Sequence, residues 1–361
     1  MMISPHAGQH APESGSSGKE RVTVYRDPYA YCSHPTALRL RGGTLLVAFM
    51  ESQRRSVPLH SPSDPRFYNV LTRSTDGGQT WCSPWVIPGY DWYGVECPNL
   101  TELRNGDLLL LQWRWRWIPW PAERGERSLG RYEHGGFPWA RDNDGAYLHR
   151  STNGGITWQA GQRIRTEPHP GAYTIRAAVE LPERTLLFVV TDIPNWQRIY
   201  VLRSDDGGET WEVGATVAHA PGRQFSEPAI LFLRSRLLVM MREVTTGYLY
   251  ESASEDGGQT WSPPRQTAIW GCPPHLLDLR DGRILCTYGY RRPPFGVRAC
   301  LSYDEGVTWD IANELVIIAD QPDWDCGYPA SILLEPGQVM TVFYGKDSKG
   351  VTGIDAVVYS V

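Results

Sequence analysis

One eight-residue phrase recurs five times along the chain and limits its fold more than any other feature. STDGGQTW begins at Ser74, STNGGITW at Ser151, SDDGGETW at Ser204, SEDGGQTW at Ser254 and SYDEGVTW at Ser302. The pattern S-x-D-x-G-x-T-W holds in every copy, with Asn153 in the aspartate place once. The starts lie 77, 53, 50 and 48 residues apart, a spacing that marks a repeat architecture. Each copy carries turn chemistry at its centre: aspartate accepts hydrogen bonds from nearby backbone N–H groups and glycine accepts positive φ. Alternating apolar stretches such as AYLHRS, IYVLRS and YLYESAS precede the copies, so each reads as the turn of a strand–turn–strand hairpin.

A second repeat defines the unit. Six segments read as apolar strand, polar turn, apolar strand: HPTALRLRGGTLLVAF, CPNLTELRNGDLLLLQW, IRAAVELPERTLLFVV, EPAILFLRSRLLVMM, PPHLLDLRDGRILCTY and YPASILLEPGQVMTVFY. Five are followed by an octapeptide hairpin and the sixth by GIDAVVYSV. The expectation is an all-β, six-bladed β-propeller with four antiparallel strands per blade. The last blade lacks a fourth strand after GIDAVVYSV. The run ERVTVYRD, residues 20–27, can supply it and remove an open sheet edge. No long 3.6-residue periodicity supports a helical or doubly wound alternative. Residues 1–19 read as a disordered tail and residues 20–361 as one propeller. The long spacing in blade two assigns an insertion to about residues 113–145.

Bulk properties exclude several functions. The net charge of −5 offers no basic footprint for nucleic acid. No apolar run approaches the roughly 18 residues of a membrane span. The start has no basic region followed by an apolar one, so a cytoplasmic location is expected. The seven cysteines form no C-x-x-C pair or zinc spacing and read as reduced and mostly buried. No metal and no cofactor are expected. Fifteen tryptophans and 18 tyrosines suit short packed strands and sugar-facing surfaces alike.

Function should lie where the repeats differ. Aligned on their strands, the six segments place His34, Cys97, Ile175, Glu227, Pro273 and Tyr328 at the opening of each first strand, next to the axis. His34, Glu227 and Tyr328 can carry protons or act as nucleophiles. A second position, at the end of the next strand, holds Met50, Trp113, Thr191, Arg242, Gly289 and Tyr344. A third, four residues before each repeat serine, holds Val70, Tyr147, Tyr200, Tyr250 and Arg298. An arginine in a packed strand is costly unless it meets an anion. Arg242 and Arg298 therefore suggest a carboxylate held by guanidinium forks.

These features resemble the sialidase (neuraminidase) superfamily, whose Asp boxes match the octapeptides and whose six-bladed propeller matches the chain from about residue 20. The resemblance implies that Tyr328, in CGYPAS, is a nucleophile, with Glu227, in FSEP, taking its proton. It implies that Arg242, in LLVMMRE, and Arg298, in GVRACLS, bind the substrate carboxylate. A phenol approaches such an anionic sugar with less repulsion than a carboxylate nucleophile would. The first-strand arginine of the family is replaced by Ser33, in CSHP. That change widens the expected substrate from sialic acid to related ulosonic or uronic acids. Arg26, Arg39 and Arg54 are the cations near enough in sequence to compensate. The resemblance also implies an acid from the first blade's 2–3 loop, where Asp64 stands; His34 is its rival.

The insertion begins WRWRW, offering Trp113 and Trp115 as stacking faces for a sugar, or as one buried side of an extended strand. Arg131 and His134 are weaker candidates in it. The leading expectation is an exo-glycoside hydrolase that releases a terminal anionic sugar from a glycan. A uronate lyase and a non-catalytic sugar-binding propeller are the alternatives.

Overall fold

The computed structural model describes residues 19–55, 64–88, 94–119, 139–193, 195–234 and 236–361. These residues form six four-stranded antiparallel sheets, each hydrogen-bonded in chain order except the one that joins the two ends of the chain. Blade one runs through Ala30–Arg39, Leu45–Gln53, Tyr68–Ser74 and Trp85–Ile87; blade four runs through Phe225–Leu233, Arg236–Glu243, Tyr248–Ser254 and Arg265–Trp270. Blade six takes Gly327–Glu335, Gln338–Lys346 and Thr352–Ser360 from one end of the chain and Glu20–Arg26 from the other. The expected propeller and its closing strand are thus both present. Arg21 and Arg26 fasten the closure by meeting the buried Asp355 carboxylate at 2.8 and 2.9 Å.

The octapeptides shape the hairpins between third and fourth strands. In the first, the Ser74 hydroxyl accepts from Gly78 N at 2.9 Å and donates to Asp76 at 2.7 Å. Asp76 accepts from Thr80 N at 3.0 Å, and the Trp81 indole donates to Gly78 O at 3.1 Å. Gly78 has φ of 92°, and a Cβ there would lie 2.3 Å from Met340 Cε of blade six. The serine, aspartate and threonine bonding recurs around Asp206, Asp256 and Asp304, though Trp309 donates to Glu251 instead of the glycine carbonyl. These turns bond their own backbone, so they are joinery between blades.

The first strands carry a different device. In blades one, two, four and six the pairing of strands one and two slips between Ser33 and Thr36, Glu96 and Asn99, Ser226 and Ala229, and Gly327 and Ala330. Two residues then oppose one, a β-bulge. The first residue of each bulge has left-handed backbone: His34 at φ 52°, Cys97 at 49°, Glu227 at 51° and Tyr328 at 50°. Such a conformation costs a non-glycine residue on the order of 1–3 kcal/mol. It recurs in four blades at the position singled out from the sequence, and it re-aims each side chain. Strand two ends beside it: Met50, Trp113, Arg242 and Tyr344 pair with the residue just before the bulge. The starts of the first strands, the ends of the second and the loops that follow them therefore share one end of the propeller.

Candidate functional site

The bulges of blades four and six bring Glu227 and Tyr328 together. The Tyr328 hydroxyl donates to Glu227 Oε1. Arg242, from the end of the neighbouring strand, donates to Oε2 at 3.0 Å. The Glu227 backbone N–H donates to the Thr191 hydroxyl of blade three at 3.2 Å. Both Glu227 and Tyr328 are buried.

This environment places the proton. Burial raises the Glu227 carboxyl, but Arg242, the Tyr328 hydroxyl and Arg291 outweigh it and hold the group below the ordinary carboxylate value. Burial lifts the Tyr328 phenol well above its ordinary value, and the Glu227 charge lifts it further against Arg291. The resting pair is thus a carboxylate accepting from a neutral phenol. Burial would lower the Arg242 guanidinium, but the neighbours that raise it, Glu227 first, together outweigh burial and keep it charged.

His34 joins the pair. Its ring stands edge-on to Tyr328, centroids 3.9 Å apart, and stacks at 6.0 Å on Tyr344. Nδ1 of His34 lies 2.7 Å from the Ser33 hydroxyl, which steadies the histidine. Tyr344 is fully buried, and its hydroxyl donates to Asp325 at 3.0 Å. It serves as a wall behind His34 and Tyr328.

Four expected residues stand differently. Arg298 does not meet Glu227 or Tyr328 in any contact described. It pairs in register with Tyr288 and Val316, donates to Glu314 and lies 3.6 Å over the Tyr290 ring. Asp64 is fully buried, with Arg55 bonded to its carboxylate and Arg66 N donating to it at 2.9 Å. An ion-paired, turn-capping carboxylate is poorly suited to deliver a proton. Trp113 and Trp115 are buried, 2% and 4% exposed, and pack edge to face at 5.9 Å. Trp113 lies against Gly171, where a Cβ would come within 2.3 Å of it, and Trp115 donates to Glu96 at 2.8 Å. They form the buried side of a lengthened hairpin, Leu108–Pro119 with Trp139–Ser151. Arg131 and His134 lie outside the described residues. Arg26, Arg39 and Arg54 bond to Asp355, Glu335 or loop carbonyls, away from the Glu227–Tyr328 pair in every contact described.

Two arginines at the site were missed. Arg291 follows the second strand of blade five, Ile284–Tyr290, and lies 5.6 Å over the Tyr328 ring and 5.9 Å over Trp324. Burial would lower it, but Cys272, Tyr344, Tyr328 and Glu227 raise it more. No repeat position flagged it, because it sits in a connection. Arg176 follows Ile175, which holds the corresponding sequence position in blade three. Its sequence signal was readable: Pro35, Pro98, Pro228, Pro274 and Pro329 occupy the equivalent place in the other five blades. Among the described residues no group of three or more His, Cys, Asp or Glu stands close enough together to hold a metal ion.

The site has recognisable company. The fold matches a protein of unknown function from Dyadobacter fermentans at 27% identity and a TM-score of 0.84, covering 96% of this chain and 100% of that one. It matches NanB sialidase from Streptococcus pneumoniae at 15% identity and a TM-score of 0.68, over 93% of this chain and 70% of that one. It also matches the intramolecular trans-sialidase of Ruminococcus gnavus at 13% identity and a TM-score of 0.67, over 96% and 99%. At these last two identities the likeness is one of fold. No curated protein matches the sequence. The model of the BNR repeat-like domain matches residues 134–341, more than half of the chain. The octapeptide hairpins, the six sheets and that match agree: the chain belongs to the BNR repeat-like domain family, on a propeller related to the sialidase superfamily.

Proposed function

We propose that the protein is a retaining exo-glycoside hydrolase that removes a terminal anionic sugar, a sialic, other ulosonic or uronic acid, from a glycan. The observation that carries this reading is the buried Tyr328–Glu227 hydrogen bond with Arg242 on the second carboxylate oxygen. Tyr328 attacks the anomeric carbon while Glu227 takes the phenolic proton, and the glycosidic C–O bond breaks. The leaving oxygen receives its proton from His34, the titratable ring against Tyr328. Water then cleaves the glycosyl–tyrosine bond, giving its proton to His34 as its oxygen bonds the anomeric carbon, while Glu227 returns its proton to the phenol oxygen. Arg242 and Arg291 hold the sugar's acid group. Fixed cations in a site shielded from water stabilise charge more strongly than they would in solution.

The supporting argument is physical. A phenol is a poor nucleophile at its ordinary pKa, and it needs a base within hydrogen-bond reach. Glu227 is such a base and is held ionised. The test is turnover of aryl glycosides of sialic, other ulosonic and uronic acids by the wild type and by Tyr328→Phe. Release of aryl alcohol by the wild type alone supports the reading; equal release by the variant rejects it.

The His34–Tyr328 contact also suits a uronate lyase, in which two such groups exchange protons beside a neutralised acid. A lyase forms an ultraviolet-absorbing unsaturated sugar and consumes no water, so product absorbance separates the two readings.

A further inference from the structure

Arg176 is anomalous. It is 4% exposed, as deeply placed as Glu227 and Tyr328. Its Nε donates to Pro274 O at 2.8 Å, but both terminal nitrogens are buried without a hydrogen-bond partner. A buried guanidinium is normally paired, because two unsatisfied N–H-bearing nitrogens oppose folding. Arginine also replaces the proline that the other five blades use at this place.

Its position gives the anomaly a direction. Arg176 starts on blade three, and its Nε bond ends on blade five, so the side chain spans the inner side of blade four, which carries Glu227. The Glu227 carboxylate is the strongest attractive charge it feels. Arg176, Arg242 and Arg291 thus come from three consecutive blades. The opposite side, from blades six, one and two, carries Tyr328, His34 and Cys97, with the fully buried Tyr344 and Met50 behind them. The three arginines lie on one half of the axis with Glu227, and on the other half Glu96 and Asp325 are bonded to Trp115 and Tyr344.

We propose that Arg176 is a substrate-binding residue that replaces, from blade three, the arginine that Ser33 displaces on blade one. Its two unpartnered nitrogens form a fork for the carboxylate of the bound sugar, which lies toward blades three to five. The ring and glycosidic oxygen lie against His34 and Tyr328. This inference rests on the anionic-sugar reading and adds the residue and orientation that set its specificity.

The test compares acid with amide. Affinities of the full chain for N-acetylneuraminic acid and for glucuronic acid, each beside its primary carboxamide, are measured by calorimetry. The wild type is expected to prefer an acid over its amide. Arg176→Gln should shrink that preference about tenfold to a hundredfold, the worth of hydrogen bonds to a charged group. Arg242→Gln should shrink it too and serves as the control. An acid preference kept in Arg176→Gln but lost in Arg242→Gln overturns the role of Arg176 and leaves the anionic-sugar reading standing. A wild type that does not distinguish acid from amide overturns both. The ratio does not depend on the folded fraction. Should Arg176→Gln not fold, Arg176→Lys keeps the charge without the fork: a partial loss of preference supports the assignment and an unchanged one refutes it.

Discussion

Tyr328 and Glu227 stand 101 positions apart in sequence and share one hydrogen bond at the propeller axis. Their identical left-handed bulges make the meeting possible. Glu227→Gln keeps the shape of the acceptor and removes its capacity to take a proton. The expected result is a fall in kcat of about a hundredfold to ten-thousandfold with an unchanged circular dichroism spectrum. Activity within a factor of three of wild type would remove Glu227 from the mechanism.

The pH profile should report the same carboxylate. Glu227 is held below its ordinary value, with Arg242 the strongest of the groups that lower it. It therefore acts as a base until pH falls through that depressed value. Arg242→Gln removes the main lowering charge, so the acid limb of kcat/KM should move to higher pH. A limb that stays in place, or moves down, would contradict the assignment.

His34 and Asp64 make opposite predictions. His34→Phe keeps a ring against Tyr328 but removes the proton, so kcat should fall more for glycosides with basic leaving groups than for activated aryl ones. Asp64→Asn should leave that leaving-group dependence untouched and lower the unfolding temperature, since Arg55 loses its anion. Steady-state kinetics across a leaving-group series, with calorimetric melting, separates the two.

The Asp boxes should govern acid stability. Asp206 is lowered to about 2 by the Thr210 hydroxyl and backbone and by Ser204, and Asp76, Asp256 and Asp304 are lowered in the same way. A depressed folded pKa contributes stability that is fully present above the unfolded value, near 4, and is lost as pH falls toward 2. Urea midpoints between pH 5 and pH 2 should decline, and less steeply in Asp206→Asn. Equal slopes would show that the boxes do not carry this linkage.

Ring closure is a separate stability prediction. Asp355→Ala leaves Arg21 with Asp320 alone and Arg26 with the Val351 carbonyl alone at the seam between the chain ends. The cost should be about 2 kcal/mol in urea unfolding, below the range for a fully buried pair because Arg21 is 37% exposed. A cost under about 0.5 kcal/mol, the surface-substitution level, would mean that strand pairing alone closes the ring.

The fold was legible because its signals are local. Each octapeptide closes its serine and aspartate (or asparagine) hydrogen bonds within four residues, and a six-fold repeat leaves few alternatives. The site was legible where chemistry departed from the repeat at a fixed register, as at His34, Glu227, Arg242 and Tyr328. Arg298 misled because its strand position fits the pattern while Glu314, 16 positions later, supplies its acceptor. No periodicity reveals such a partner. Arg291 escaped because a connection has no register. Arg176 was missed although five prolines marked its place. The Trp113–Trp115 alternation allowed a stacking face or a buried one, and packing on Gly171 selected the second.

Covalent trapping tests the proposed role of Tyr328 most directly. A fluorinated glycosyl fluoride of the preferred sugar acid, incubated with the protein, should add one sugar mass to the intact chain. Peptide mapping should place it on Tyr328, and Glu227→Gln should slow its formation. A label on any other residue, or complete turnover of an aryl glycoside with inversion at the anomeric carbon, would contradict a tyrosine nucleophile.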